Sequence, residues 1–171
     1  MPRTETHVTA GILSPAHAEK RAEILTLLER AYWMEMETVM SYVANAAGLD
    51  GIRAEEVAES LSADVDEELG HARKFADRIK ELYGTPPGSR GFSAEQDALQ
   101  PPDDATDVVT VIRGVIEAEA GAIEHYNRII EACDGVDWAT QDMVIDILRD
   151  EQGHRRLFEG YLREFEAEGT A

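Results

Sequence analysis

The chain has 171 residues, the size of one domain with a core of its own. Its 16 Lys and Arg against 35 Asp and Glu give a formal net charge of −19, which argues against a surface made for nucleic acid or anionic lipid. A hydrophobic fraction of 43% argues against disorder, and the single cysteine, Cys133, rules out a disulfide framework or a thiolate metal site within one chain. The N-terminus, Met-Pro-Arg-Thr-Glu-Thr-His, has no apolar stretch behind a basic flank, and no run reaches the length of a membrane span. The expected compartment is the cytoplasm.

Residues 1–16 read as a mobile N-terminal arm that contains Arg3 and His7. Glycine and proline then cluster at three breaks: Gly48 to Gly51, Gly84 to Pro102, and Gly135. The stretches between them are rich in Ala, Leu, Ile, Glu and Arg, residue types that favour helix. The first runs from about His17 to Ala47, with Ile24, Leu27, Leu28, Ala31, Met34, Val39 and Tyr42 spaced by three and four as one helical face requires. The second runs from about Arg53 to Tyr83 and repeats the pattern through Val57, Leu61, Val65, Phe75, Ile79 and Leu82. A third spans about Ala105 to Cys133, and a fourth about Asp137 to Phe165, with Asp137 as its N-cap. Residues 167–171 form a short tail. No segment alternates with a period of two, so the class is all-α.

Loop lengths supply the topology. Short breaks pair helix one with two and helix three with four as antiparallel hairpins. The Gly- and Pro-rich stretch from Gly84 to Asp104 is long for a compact domain. A thirty-residue helix is about 45 Å long, and about twenty extended residues can span that distance. The stretch therefore reads as a crossover running the length of a four-helix bundle over residues 17–166.

Polar residues repeat on the inward faces. Glu35 lies mid-way along the first helix with Tyr42 seven residues on, and Glu119 lies mid-way along the third with Tyr126 seven residues on. Seven residues is close to two turns, so each Glu and Tyr share a face. The second helix carries Glu68-Leu-Gly-His71 and the fourth Glu151-Gln-Gly-His154, and residues three apart are helical neighbours. Glu35 and Glu119 are 84 residues apart, Glu68 and Glu151 are 83 apart, and apolar pairs such as Leu28 with Ile112 and Phe75 with Phe158 keep the same register. The two hairpins look like an ancient duplication. Four carboxylates and two imidazoles suit iron or manganese better than a soft metal, and two divalent ions would balance the four negative charges.

With these residues the chain resembles the ferritin-like superfamily, in its symmetric di-iron carboxylate branch of bacterioferritins, rubrerythrins and Dps-like ferritins. The resemblance covers all four helices. It implies a ferritin-like four-helix bundle with Glu68 and Glu151 bridging two Fe ions (Mn is the other candidate), Glu35 and Glu119 as terminal ligands, and His71 and His154 binding one metal each. It also implies oxidation of Fe(II) by O2 or H2O2 for storage or detoxification in a homo-oligomer, possible as a shell. A discrete di-manganese or di-iron oxidoreductase of catalase or oxygenase type is the alternative on the same centre. A metal-bound imidazole commonly gives its other N–H to a fixed acceptor, so His71 is expected to pair with Asp150 and His154 with Glu67. Tyr42 and Tyr126 would hydrogen-bond a ligand carboxylate or supply an electron.

Other positions shape these expectations. Leu69 stands where bacterioferritins carry the haem-binding Met, so no haem is expected, and Ile116 stands where rubrerythrins carry an additional Glu. Gly70 and Gly153 are expected to mark close backbone packing. Met34, Met36 and Met40 read as core, Trp33 and Trp138 as packing or interface residues, and His125 as an ordinary side chain. Of the net negative charge, four belong to the expected ligands and the rest awaits a location.

Overall fold

A computed structural model describes residues 11–167 and Gly169. The chain folds into four long helices: α1 (Ala18–Gly48), α2 (Glu55–Glu81), α3 (Val108–Cys133) and α4 (Trp138–Ala167). α1 packs along α2 and α3 along α4, and the hairpins meet mainly through α1 and α3. The chain between α2 and α3 includes two short 3-10 turns, Ser89–Gly91 and Asp97–Leu99. Among the described residues no helix is long and apolar enough to cross a membrane.

Local chemistry sets the helix ends. α3 begins at Val108, three residues later than the composition suggests. Asp104 draws in the Thr106 N–H at 2.9 Å, and Asp107 caps the helix by accepting the Thr110 N–H at 3.0 Å. Asp137 does the same for α4, accepting from Thr140 N at 3.1 Å while its other oxygen takes the Thr140 hydroxyl. α2 closes with the Gly84 N–H on Ile79 O at 2.9 Å, which puts Tyr83 at φ +66 where glycine is the usual occupant.

The apolar interior forms two clusters. One holds Ile24, Leu28, Phe75, Ile79, Ile129 and Ile147. The other holds Leu61, Val111, Ile112, Val115 and Phe158. Between them lies a polar layer. The sequence repeat reappears as matched burial: Leu28 and Ile112 are both fully buried, as are Phe75 and Phe158.

The crossover is fastened to α1 by a residue that the periodicity did not single out. Glu37 is 4% exposed, and its carboxylate accepts the N–H groups of Glu95 at 2.9 and 3.0 Å and of Gln96 at 2.9 Å. Asn45 adds a bond to Leu99 O at 2.8 Å, and Trp33 stacks at a tilt on Phe92. Against α3 the crossover comes so close that a Cβ on Gly114 would overlap the Ala98 carbonyl.

Several expectations need correction. Residues 11–16 are not a loose arm: Ile12 is buried, His17 Nδ1 lies 2.7 Å from Gly11 O, and Arg21 donates to Ile12 O at 2.9 Å. Arg3 and His7 lie outside the described residues, as do the tail positions 168, 170 and 171. Gly70 and Gly153 mark no close packing within the subunit, because a Cβ on either would meet nothing within 4 Å. Met34 packs on the core, but Met40, expected there too, is 49% exposed.

The two contrasting glycines on α3 offer a check. Gly114→Ala is expected to destabilise the fold by about 1–3 kcal/mol through overpacking. Gly121→Ala, whose Cβ would meet nothing within 4 Å, is expected to be neutral or to stabilise it by up to about 1 kcal/mol through helix propensity. Thermal denaturation of the pair measures both.

Candidate metal centre

The polar layer is where the four helices each turn ligand-type side chains inward. α1 contributes Glu35, α2 Glu68 and His71, α3 Glu119, and α4 Glu151 and His154, all between 1% and 8% exposed. The i, i+3 spacing puts each Glu and His of α2 and α4 on one helical face. Two overlapping groups result, Glu35–Glu68–His71–Glu151 and Glu68–Glu119–Glu151–His154, each with its candidate ligand atoms within 4.8 Å of one another. Glu68 and Glu151 belong to both.

The arrangement is two-fold in character. His71 Nδ1 lies 3.1 Å from Glu151, 3.6 Å from Glu68 and 3.9 Å from Glu35. His154 Nδ1 lies 3.1 Å from Glu68, 3.3 Å from Glu151 and 3.8 Å from Glu119. These contacts are close, yet both Nδ1 atoms, both Glu68 oxygens and Glu151 Oε1 lack a hydrogen-bond partner among the described residues. Buried polar groups left this way are costly, and they identify what the pocket is shaped to receive.

The outer side of each ring is held. His71 Nε2 is 3.3 Å from Asp150 Oδ2, and His154 Nε2 is 3.2 Å from Glu67 Oε2. Donation from Nε2 to these carboxylates turns Nδ1 toward the centre, where its lone pair becomes available when the ring gives up its second proton. Glu119 and Glu35 are held across the hairpins: Tyr42 on α1 donates to Glu119 on α3 at 2.7 Å, and Tyr126 on α3 donates to Glu35 on α1. Both phenols are fully buried.

Asp64 also reaches this neighbourhood, forming a third group with Glu67 and His154, and its Oδ2 is buried without a partner. The sequence reading missed it. Its spacing of three from Glu67 was the available signal, but Ile147 stands at the equivalent place of the repeat and hid it. His125 lies outside the centre and donates through Nε2 to Leu27 O at 2.8 Å.

Electrostatics shows how the centre manages its charge without a cation. Burial, then the neighbouring Glu151 and Glu68, push Glu35 and Glu119 well above the carboxylate range. Burial also works against ionised Glu68, but the imidazoles of His154 and His71 outweigh it and hold Glu68 at about 2. For both histidines burial favours the neutral ring and is outweighed by Glu151 and Glu68, so His71 is raised to about 9 and His154 to about 12. Burial and then Glu119 or Glu35 push the two phenols well above their ordinary value. Protons on the imidazoles and terminal carboxylates therefore stand in for positive charge. The donor set of four carboxylates and two imidazole Nδ1 atoms fits a pair of divalent cations in their place.

Comparison with known proteins gives the family and the fold. Residues 25–167 match the ferritin-like domain family. The chain is 25% identical over 142 residues to a bacterioferritin of Desulfovibrio desulfuricans, covering 82% of this chain and 75% of that one. In structure it is similar to a dodecameric thioferritin, the bacterioferritin-related protein of Bacteroides fragilis, with a TM-score of 0.75 at 23% identity over 87% of this chain and 89% of that chain. It is also similar to a Dps protein of Vibrio cholerae, with a TM-score of 0.76 at 15% identity over 84% and 91%.

The proton-holding centre makes stability depend on pH. A histidine raised in the folded state stabilises the fold fully below its unfolded value of about 6.5 and loses that contribution as pH rises through the folded value. For His71 that value is about 9. The metal-free protein is therefore expected to lose Tm from pH 6.5 to 9.5, and the metal-loaded protein to lose less. Circular dichroism melts with and without a chelator measure this; a metal-free Tm that rises over the interval contradicts the assignment.

Proposed function

The chain belongs to the ferritin-like family, and on that premise we propose that it handles iron: the centre within the subunit takes two Fe(II) as substrate and lets O2 or H2O2 oxidise them, for storage or detoxification. The observation that carries this reading is the set of orphaned inward atoms on Glu68, Glu151, His71 and His154, each on a side chain at most 8% exposed.

In this reading Glu68 and Glu151 bridge the two irons, because each approaches both imidazoles. Glu35 and Glu119 are terminal ligands, and His71 and His154 bind one iron each. Each Fe(II) gives up one electron to become Fe(III), and a pair supplies the two that, with two protons from solvent, reduce O2 to H2O2 or H2O2 to two waters. The chain's own groups do the rest. Asp150 and Glu67 fix the imidazole tautomer and orientation. Tyr42 and Tyr126 hold the terminal carboxylates in place, and the apolar clusters on either side limit water. A carboxylate-rich centre without thiolate suits iron, with manganese as the second candidate. Leu69 offers no thioether for haem.

Homo-oligomer formation, and a shell in particular, is part of the proposal. Residues 38–48 of α1 contain no charged side chain, in a chain that is 30% charged. Within that stretch Met40 is 49% and Val43 52% exposed, and Val43, Ala46 and Ala47 line a shallow depression with Val65 of α2. Exposed apolar surface of this kind is typical of contact between subunits. Replacing both Met40 and Val43 with Glu is expected to lower the native mass measured by light scattering; an unchanged assembly would move the contact elsewhere.

Stopped-flow oxidation of Fe(II) tests the activity. Glu68→Ala or Glu151→Ala is expected to abolish the rapid phase, and Asp150→Asn to slow it by about 10–100-fold. Rapid oxidation that survives both alanine substitutions refutes the centre. A small assembly that carries two Mn and evolves O2 from peroxide would instead favour the discrete oxidoreductase.

A further inference from the structure

α2 and α4 carry both Glu-x-x-His units of the metal centre, yet the hairpins meet mainly through α1 and α3. That leaves side-chain links to fix how α2 lies against α4. Within the metal layer the links are His71 with Asp150 and His154 with Glu67. Two more flank the layer, and they start from equivalent places of the repeat. Seven residues after His71, Arg78 of α2 reaches α4; seven residues after His154, Tyr161 of α4 reaches α2. Seven residues is close to two turns, so each group leaves its helix on the face that carries the histidine. The Tyr161 link is neutral and single, its hydroxyl 2.8 Å from Ser60 Oγ. Arg78 makes a charged fork: Nε donates to Thr140 Oγ1 at 2.7 Å and Nη2 to Asp137 Oδ1 at 2.8 Å.

The fork is suited to holding a fixed distance. The Arg78 side chain is 14% exposed, and Asp137 and Thr140 are buried, so these bonds are shielded from water. A third bond, from Nη1 to Glu81 on its own helix at 2.7 Å, orients the guanidinium plane. Asp137 is also the N-cap of α4, so the fork ties one point on α2 to the first turn of α4. The two helices run antiparallel, with Ser60 beside Tyr161 at one end and Arg78 beside Asp137 at the other. Glu68 lies ten residues before Arg78, and Glu151 eleven after Thr140. At a rise of about 1.5 Å per residue, both glutamates stand about 15–16 Å from the fork in the same direction. The fork thus brings them level, and each approaches both imidazoles. A slip of α4 by one residue would offset them by about 1.5 Å, which spoils a bridge between two metals more than it spoils a set of ligands around one.

We propose that Arg78 is a positioning residue for the metal pair: its fork on Asp137 and Thr140 sets the height of α4 against α2 at which Glu68 and Glu151 each serve two metals. This role rests on the two-metal reading of the centre. Anaerobic titration of the full-length protein with Co(II), followed by visible absorption, tests the two separately. The wild-type protein is expected to bind two Co(II) per subunit; fewer than two removes the two-metal reading and this role with it. Arg78→Lys keeps a charge beside Asp137 but replaces the planar fork with a point donor. It is expected to hold the first Co(II) with wild-type affinity and the second at least about tenfold more weakly, with helix content by circular dichroism unchanged. Thr140→Val cuts one arm of the fork, leaves the Arg78–Asp137 pair, and is expected to weaken the second Co(II) in the same direction. A merely structural role would lower Tm and leave the ratio of the two affinities at its wild-type value. That result in either variant, beside a wild-type protein that binds two Co(II), overturns the role of Arg78 and leaves the two-metal reading standing.

Discussion

Four carboxylates facing one another in an apolar interior are the constraint around which this molecule is organised. Left ionised and unpaired they would break the bundle apart. The chain answers with two histidines aimed at the shared glutamates, two tyrosines donating to the terminal ones, and protons retained where burial is most complete. The apolar clusters on either side keep water from relieving the charge. The cluster is thus a place of stored cost, and its donor set is suited to a pair of divalent cations.

The repeat between the two hairpins runs through both the core and the centre, and its exceptions are informative. Each hairpin supplies a terminal Glu, a phenol, a shared Glu and a His, and each phenol reaches across to the other hairpin's carboxylate. Neither hairpin can build the centre alone, so the chemistry also ties the halves together. Three features have no matched partner: Asp64 beside His154, Glu37 gripping the crossover, and His125 bonded to Leu27 of α1. The second hairpin has Ile147 where Asp64 would recur and Gly121 where Glu37 would recur. The crossover occupies one side of the bundle only, and that breaks the symmetry. The acidity that marks the composition follows both sides: Glu55 to Glu67 of α2 holds six acidic residues and no basic one, and crossover residues 95–107 hold five and none.

Much of this was legible in the sequence because it rests on helical geometry. Spacings of three, four and seven fix which side chains share a face, so the inward set could be drawn before any coordinates; the His71–Asp150 and His154–Glu67 pairs followed from the family resemblance and the matched places of the repeat. What the spacing could not carry was contact between distant segments. Glu37 looked like any surface acid, since its partners are backbone N–H groups of the crossover nearly sixty residues away. Residues 11–16 looked like a loose arm, because the burial of Ile12 depends on the far end of the bundle. Gly70 and Gly153 misled for the opposite reason: a local rule suggested tight packing, and no neighbouring helix lies there within the subunit.

The central claim is that the orphaned atoms of this layer are metal ligands. The most direct measurement is anomalous diffraction, at the iron edge, from crystals of the protein loaded with Fe(II). The account predicts two peaks about 3.5–4 Å apart, one at bonding distance from His71 Nδ1 and the other from His154 Nδ1, with Glu68 and Glu151 touching both. A single peak, or iron only at the outer carboxylates Asp64, Glu67 and Asp150, would contradict it.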